Sequence, residues 1–133
     1  QYLIRVSTNP IFGSGHTQRV SALRSFMRGS VQWFVDPEGV EVLRQMIPAS
    51  DKIIEEPRNA SVGKLIGAVK SCPSPIVICD SHQIRYEKFK GLNKRIFVFF
   101  DGYDWDLPDE CVVVNYQPNV LKKSNSIVRK LDE

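Results

Sequence analysis

The sequence predicts an α/β domain with a doubly wound, mostly parallel, Rossmann-like sheet. Short apolar segments alternate along the chain with segments of helical periodicity. The apolar segments have no polar face, which is typical of parallel strands that are covered by helices on both sides. Ligands of such sheets bind beyond the carboxyl ends of the strands, so the residues at those ends are the candidates for a functional site.

The first half of the chain predicts three strands and two helices. Gly29 is expected to end the first helix, because glycine commonly follows a helix. Asp36 and Pro37 are typical of an N-cap and a first helical position, and Pro48 cannot continue that helix. The predicted elements are a strand at 2–6, a helix at about 16–27, a strand at 31–35, a helix at about 37–47 and a short strand at about 52–54.

The second half predicts one helix, a shorter helical segment and three strands. Ser61 is expected to cap the helix, whose apolar positions run from Val62 to Val69. Pro73 and Pro75 separate that helix from the clearest buried strand of the chain. The remaining predicted elements are strands at 76–79, 96–100 and 111–114 and a helical segment at about 84–89.

Length and composition predict one soluble domain. The chain has 133 residues, of which 42% are hydrophobic and 25% charged, as is ordinary for globular proteins. Residues 1–120 are assigned to the Rossmann-like domain and 121–133 to a basic tail or a truncated interdomain linker. No apolar run approaches the roughly 20 residues that span a bilayer, and no signal peptide is expected at the start.

Charge and cysteine content indicate which binding partners and which cellular compartment are favoured. The net charge is +3, but the lysines and arginines are scattered, so nucleic-acid binding is not favoured. Cys72, Cys79 and Cys111 are odd in number and far apart, and no C-x-x-C motif occurs. This pattern favours a reducing cytoplasm over a disulfide scaffold and argues against zinc. No cofactor is predicted.

A glycine loop follows the first predicted strand and is the centre of the predicted site. It contains Gly13, Ser14 and Gly15, with His16 directly after them. Two glycines allow the backbone to approach a ligand, and the helix N-terminus behind them offers unpaired N–H groups that suit phosphate. The dinucleotide fingerprint is incomplete and the Walker lysine is missing, so a tight turn without a ligand is the alternative.

His16 and Arg19 are the candidate reactive residues of that helix. The partial positive charge of a helix N-terminus disfavours the imidazolium form of His16, and a neutral imidazole can act as a general base. A capping or solvent-exposed histidine is the alternative. Arg19 lies one turn further along and is placed to reach a phosphate or a sugar hydroxyl. Otherwise Arg19 is a solvated residue or pairs with a carboxylate.

Polar residues follow three later strands of the predicted sheet. Asp80 and His82 come after the fourth strand and are candidates for substrate binding; His82 would contact substrate or orient His16, and the alternative is that Asp80 and Ser81 cap the next helix. The further candidates for substrate binding are Asp101 after the fifth strand and Asn115 and Gln117 after the last.

Asp104 and Asp106 match the aspartate-x-aspartate pattern that holds a divalent metal in one class of glycosyltransferases. Carboxylates near a strand end are suitable ligands for Mg²⁺ or Mn²⁺. Gly102 and Pro108 lie close by in the sequence and favour a solvated turn instead. No metal site is therefore assigned.

Several of these segments together carry a resemblance to a known family. They are Ile4-Arg5-Val6, the Gly13-Ser14-Gly15-His16 loop with Arg19, the strand from Ile76 to Ser81, Asp101, and the segment from Val113 to Gln117. The chain resembles the N-terminal half of the nucleotide-sugar hydrolases of pseudaminic acid biosynthesis. It is also similar to the related spore-coat polysaccharide proteins, which share the two-domain glycosyltransferase-B architecture.

The resemblance implies hydrolysis of a UDP-linked deoxyamino sugar at the anomeric carbon, with His16 activating the attacking water. It also implies a second Rossmann domain, absent from this chain, that would carry most of the UDP. Ser7 stands where the family has an aspartate, and Asp101-Gly102 stands where it has paired aspartates. A glycosyltransferase of the same fold and a non-catalytic domain that binds a sugar nucleotide or a protein are the alternatives.

Overall fold

A computed structural model describes residues 1–7, 15–81, 83–99 and 107–114. Its described residues form one six-stranded sheet in which every pair of neighbouring strands is parallel. The strands are β1 (Tyr2–Val6), β2 (Val31–Val35), β3 (Lys52–Glu55), β4 (Ile76–Asp80), β5 (Ile96–Phe99) and β6 (Cys111–Val114). The helices are α1 (Gly15–Arg24), α2 (Val40–Met46) and α3 (Gly63–Ser71), and 3₁₀ turns cover Pro37–Gly39 and Tyr86–Phe89.

The order of the strands, β3-β2-β1-β4-β5-β6, confirms the predicted Rossmann-like α/β fold. The chain leaves β1 toward one edge of the sheet and, after β3, returns to the other side of β1. The strand order therefore reverses between β1 and β4, which pair directly, with Val6 opposite Asp80. A crevice at the carboxyl ends of these two strands is where open α/β sheets bind ligands.

The sheet separates two hydrophobic cores. Successive side chains of a strand point to opposite faces, so Leu3 lies in one core and Ile4 in the other. Leu65 and Val69 of α3 pack in the first core, and Val20 of α1 packs in the second. Both faces are thus covered, as the unbroken apolar character of the strands predicts.

Two predicted helices are shorter than expected. Helix α1 ends at Arg24, and the next residues form a tighter turn in which the Met27 N–H donates to the Arg24 carbonyl at 3.1 Å. The helical segment predicted at 84–89 is a 3₁₀ turn over Tyr86–Phe89. The Arg24 side chain also binds the Met27 carbonyl at 3.1 Å, so a local contact closes the turn that ends α1.

The predicted capping of α3 by Ser61 is wrong. The carboxylate of Glu56, a fully buried residue, accepts the Leu65 N–H at 2.9 Å and the Lys64 N–H at 3.3 Å. The Ser61 hydroxyl itself donates to Glu56 and to the Arg58 carbonyl. A side chain at the end of β3 therefore satisfies the first turn of α3 in place of a local cap.

A second buried carboxylate ties α1 to the sheet. Asp51 accepts two hydrogen bonds from the Arg24 guanidinium, at 2.7 and 2.8 Å, and one from the Trp33 indole at 2.9 Å. The pKa of Asp51 lies below its ordinary value because the hydrogen bonds from Arg24 outweigh the opposing effect of burial.

Among the described helices, none is long and apolar enough to cross a bilayer.

Candidate functional site

The candidate site lies where β1 and β4 end side by side. Helix α1 begins at Gly15, so His16 stands in its first turn, and Asp80 is the last residue of β4. The Ser7 N–H donates to the Asp80 carbonyl at 3.0 Å, which extends the pairing of the two strands one residue into the loops. The fold thereby places a helix N-terminus and a strand end on either side of the point where the strand order reverses.

His16 and Asp80 form a buried pair at this point. The His16 ring nitrogen Nδ1 lies 2.6 Å from Asp80 Oδ1, and the two side chains are 6% and 1% exposed. The length is typical of a charge-assisted hydrogen bond. An ionised carboxylate only accepts, so His16 Nδ1 is the donor of this hydrogen bond.

Arg19 binds the same carboxylate from the next turn of α1. Its Nε donates to Asp80 Oδ2 and its Nη2 to Asp80 Oδ1, both at 2.7 Å. This two-bond geometry matches the planar guanidinium fork to the carboxylate. The Arg19 guanidinium also lies over the Phe99 ring of β5, 5.4 Å from its centroid. Three adjacent strands and one helix therefore converge on one buried negative charge.

The spacing of His16 and Arg19 explains why they share a partner. Residues three apart lie on the same face of a helix, and this face of α1 points toward the end of β4. Arg19 compensates the charge that Asp80 carries in a buried position, and Asp80 fixes the orientation of the imidazole. An imidazole oriented in this way by a buried carboxylate is suited to accept a proton at Nε2.

A set of hydroxyl and amide groups lies beside this triad. The Ser7 and Ser81 hydroxyls are hydrogen-bonded to each other, and both lie within hydrogen-bond distance of the Gln83 carboxamide oxygen, at 3.3 and 3.4 Å, so their two protons are shared among three contacts. The Tyr86 hydroxyl donates to the Ser81 carbonyl at 2.6 Å. Burial, the main cause, raises the pKa of Tyr86 well above its ordinary value, so the phenol stays a donor.

Among the residues that the sequence predicts, the structure brings His16, Arg19 and Asp80 into contact and makes Gly15 the first residue of α1. Asp80 and Ser81 do not cap the following helical turn. Asp80 binds α1, and Ser81 binds Ser7 and Gln83. The other predicted residues fall outside the described ranges; they are Gly13, Ser14, His82, Asp101, Asn115 and Gln117, and the possible metal ligands Asp104 and Asp106.

Sequence reasoning missed three residues of this neighbourhood. Ser7 is a departure from the resembled family but is not predicted to take part, and Gln83 and Phe99 are not singled out at all. The position of Ser7 directly after β1 and of Phe99 at the end of β5 is the signal that points to them. For Gln83 the signal is weaker, since it lies three residues after β4.

The described residues contain no group of three or more histidine, cysteine, aspartate or glutamate side chains arranged to hold a metal ion. Comparison with protein-family models, with curated proteins and with solved structures gives no match to this chain. Fold and site together therefore define a Rossmann-like α/β domain with a buried histidine–aspartate–arginine triad at the switch point of its sheet.

Proposed function

We propose that this domain binds a sugar nucleotide at the switch point and that His16 acts as general base in hydrolysis of the anomeric bond. The observation that carries the proposal is the 2.6 Å contact between His16 Nδ1 and the buried Asp80 carboxylate. With Nδ1 as the donor to Asp80, the proposal assigns Nε2 as the nitrogen that accepts the proton of the water. Water attacks the anomeric carbon, His16 takes its proton, and UDP leaves with the electrons of the broken C–O bond.

The proposal includes a second Rossmann domain that would hold the uridine. It also places the reaction in the cytoplasm, because all three cysteines are free thiols and two of them are buried. A glycosyltransferase would use the same base on an acceptor hydroxyl. The two reactions differ in product: one releases free sugar, and the other joins the sugar to an acceptor.

Replacement of His16 by alanine tests the proposed base. UDP release from UDP-N-acetylhexosamines is measured with the second Rossmann domain supplied, together with the amide shifts of the chain on titration with the same compounds. We expect the His16→Ala variant to fold, since Arg19 still compensates Asp80, to bind ligand as before, and to lose about 10²- to 10⁴-fold in turnover. Glu41→Gln, on the exposed side of α2, is the control and should keep full turnover. Undiminished turnover in His16→Ala removes His16 from the role of base.

A structural role for the triad is the second candidate. The observation that favours it is the two-bond pairing of Asp80 with Arg19, which already compensates the carboxylate and packs α1 onto β4. In that case the domain binds a sugar nucleotide or a protein partner without catalysis. The expected result is then no turnover in the parent chain, even when a second domain is supplied, and a stability loss in Asp80→Asn as the main effect.

A further inference from the structure

An open depression of about 300 Å³ lies at the same edge of the sheet, on the side covered by α3. One wall comes from the loop between β3 and α3 and contributes Arg58, Asn59 and Ser61. The other wall follows β4 and contributes Gln83, Arg85 and Lys88. The fold thus gathers three cations and three hydrogen-bonding side chains that lie up to 30 positions apart in the sequence.

The lining of this depression is positively charged. Arg58, Arg85 and Lys88 contribute three positive charges, and no carboxylate is among the residues that line it. Arg85 contacts Glu87 at 3.9 Å, but both side chains are largely exposed, so that pair is weak. Within the described part of the chain, no ion pair involves Arg58 or Lys88. Like charges gathered around one concavity favour an anion there.

The nearby helix N-terminus does not supply the attraction. The Lys64 and Leu65 N–H groups at the start of α3 point to the buried Glu56 carboxylate, which occupies the position an anion would take. The site therefore depends on side-chain cations and on polar groups of the two walls, and charge-neutral variants of those cations should remove it.

The loop between β3 and α3, which forms the first wall, is held in place by buried side chains. The fully buried Arg5 donates from Nε to the Ser61 carbonyl at 2.9 Å and from Nη2 to Asp36 Oδ1 at 2.6 Å. Asp36 Oδ1 also accepts the N–H of Ala60, whose φ of 62° lies in the left-handed region. These contacts fix the backbone at Ala60 and Ser61, which reduces the entropy that the loop loses when a ligand binds.

We propose that this depression binds the phosphate group of a small phosphorylated compound, with Arg58 and Lys88 as the main ligands and the side-chain amides of Asn59 and Gln83 as further partners. The depression is open to solvent on one side, so a phosphate that carries a small organic group can enter it. Arginine and lysine are the residues that most often bind phosphate.

This site is distinct from the His16 triad and does not depend on the proposed hydrolysis. Gln83 connects the two, because its carboxamide oxygen lies within hydrogen-bond distance of the Ser7 and Ser81 hydroxyls while the residue lines the depression. An anion that binds here is therefore expected to shift the Ser81 signals as well, whether or not His16 takes part in catalysis.

The test is an NMR titration of the full chain with inorganic phosphate, ribose 5-phosphate and ribose at constant ionic strength. We expect saturable shifts of the Asn59, Ser61 and Gln83 amides with both phosphates and none with ribose. Tighter binding of ribose 5-phosphate supports an organic phosphate as the ligand, and equal affinity supports recognition of the phosphate alone. No saturable shift with either phosphate overturns the proposal.

The double variant Arg58→Gln/Lys88→Gln should weaken phosphate binding about tenfold, since two charge-assisted contacts are lost at a partly exposed site. Lys70→Gln/Arg95→Gln is the matched control, because it removes the same two charges from exposed positions at the end of α3 and before β5. Unchanged phosphate affinity in the control supports a site that depends on Arg58 and Lys88 in particular. Equal weakening in both double variants would mean that only the net charge matters and would overturn the proposal.

Discussion

Asp51 shows how one carboxylate can hold a helix, a strand and a loop together. It accepts from Arg24 at the end of α1 and from Trp33 in β2, and its own carbonyl accepts from Arg44 of α2 at 3.0 Å. Its side chain is only 3% exposed. Removal of the negative charge leaves the Arg24 guanidinium without its partner in a largely buried position, so the cost should exceed that of a surface ion pair.

The lowered pKa of Asp51 predicts how this contribution depends on pH. In the folded state the pKa lies below the ordinary value of 3.8, so the folded protein binds fewer protons than the unfolded chain. The contribution is complete above pH 3.8 and is lost as the pH falls through the folded value. Asp51→Asn should lower the free energy of unfolding by about 3 kcal/mol at pH 7.

Urea denaturation of the parent and of Asp51→Asn between pH 7 and pH 3 measures this difference. The gap should stay constant down to about pH 4 and narrow below it. Glu41→Gln, at an exposed position of α2, should differ little from the parent at any pH. A gap that keeps its full size at the acidic end would contradict the assignment of the lowered pKa to Asp51.

At the level of single residues, the sequence identifies candidate site residues more readily than it identifies the residues that they contact. His16 and Arg19 are predicted together from their place on the first helix, but their shared contact with Asp80 is visible only in the structure. That Asp80 also orients His16 through Nδ1 depends on the pairing of β1 with β4, which no local pattern specifies. Arg58, Arg85 and Lys88 look scattered in the sequence for the same reason.

Helix α3 depends on a residue that lies outside it. Glu56 satisfies the first N–H groups of α3 from the end of the neighbouring strand, and its carboxylate also benefits from the partial positive charge of the helix N-terminus. Glu56→Ala should lower the free energy of unfolding by about 2 kcal/mol, because it leaves buried N–H groups without an acceptor.

Glu55→Ala is the matched control for this prediction, since the adjacent Glu55 side chain is exposed and should contribute little. Thermal or urea denaturation of the two variants gives the comparison. Glu56→Gln should fall between them, because it keeps one acceptor oxygen. Equal stability of Glu56→Ala and Glu55→Ala would show that α3 does not need this cap.

At the level of elements, strands are predicted better than helix ends. The predicted bounds of β1, β2 and β6 match the structure, because runs of apolar residues bounded by turn signals specify a buried strand locally. The start of α3 depends instead on Glu56, which reaches the helix from the end of β3, and this partner is set by tertiary structure. Local capping rules therefore selected Ser61 incorrectly.

For the whole molecule, the class of fold follows from the sequence but the order of the strands does not. The alternation of elements predicts parallel strands, and any order with right-handed crossovers would satisfy it. The order β3-β2-β1-β4-β5-β6 alone places Asp80 beside the start of α1 and brings the cations after β3 and β4 into one depression.

The reactivity of the three thiols tests the packing of the whole sheet. Cys79 and Cys111 are buried within the core on the α3 side, and burial raises the pKa of Cys79 far above its ordinary value, while Cys72 is half-buried. Only the thiolate reacts rapidly with an aromatic disulfide reagent. One thiol per chain should react in the native state and all three in denaturant. Rapid native reaction of Cys79 would contradict the described core.

The reversal of strand order also divides the chain into two contiguous halves. Strands β1 to β3 come from the residues before α3, and β4 to β6 come from those after it, so within the described sheet the two sets of strands pair through the β1–β4 ladder. His16 and Arg19 belong to the first half and Asp80 to the second. Two fragments produced by a break between Ser71 and Ile76 would each carry part of the triad. When such fragments reassociate, the pairs of Asp80 with His16 and Arg19 form again. These pairs therefore report whether the two halves have complemented each other.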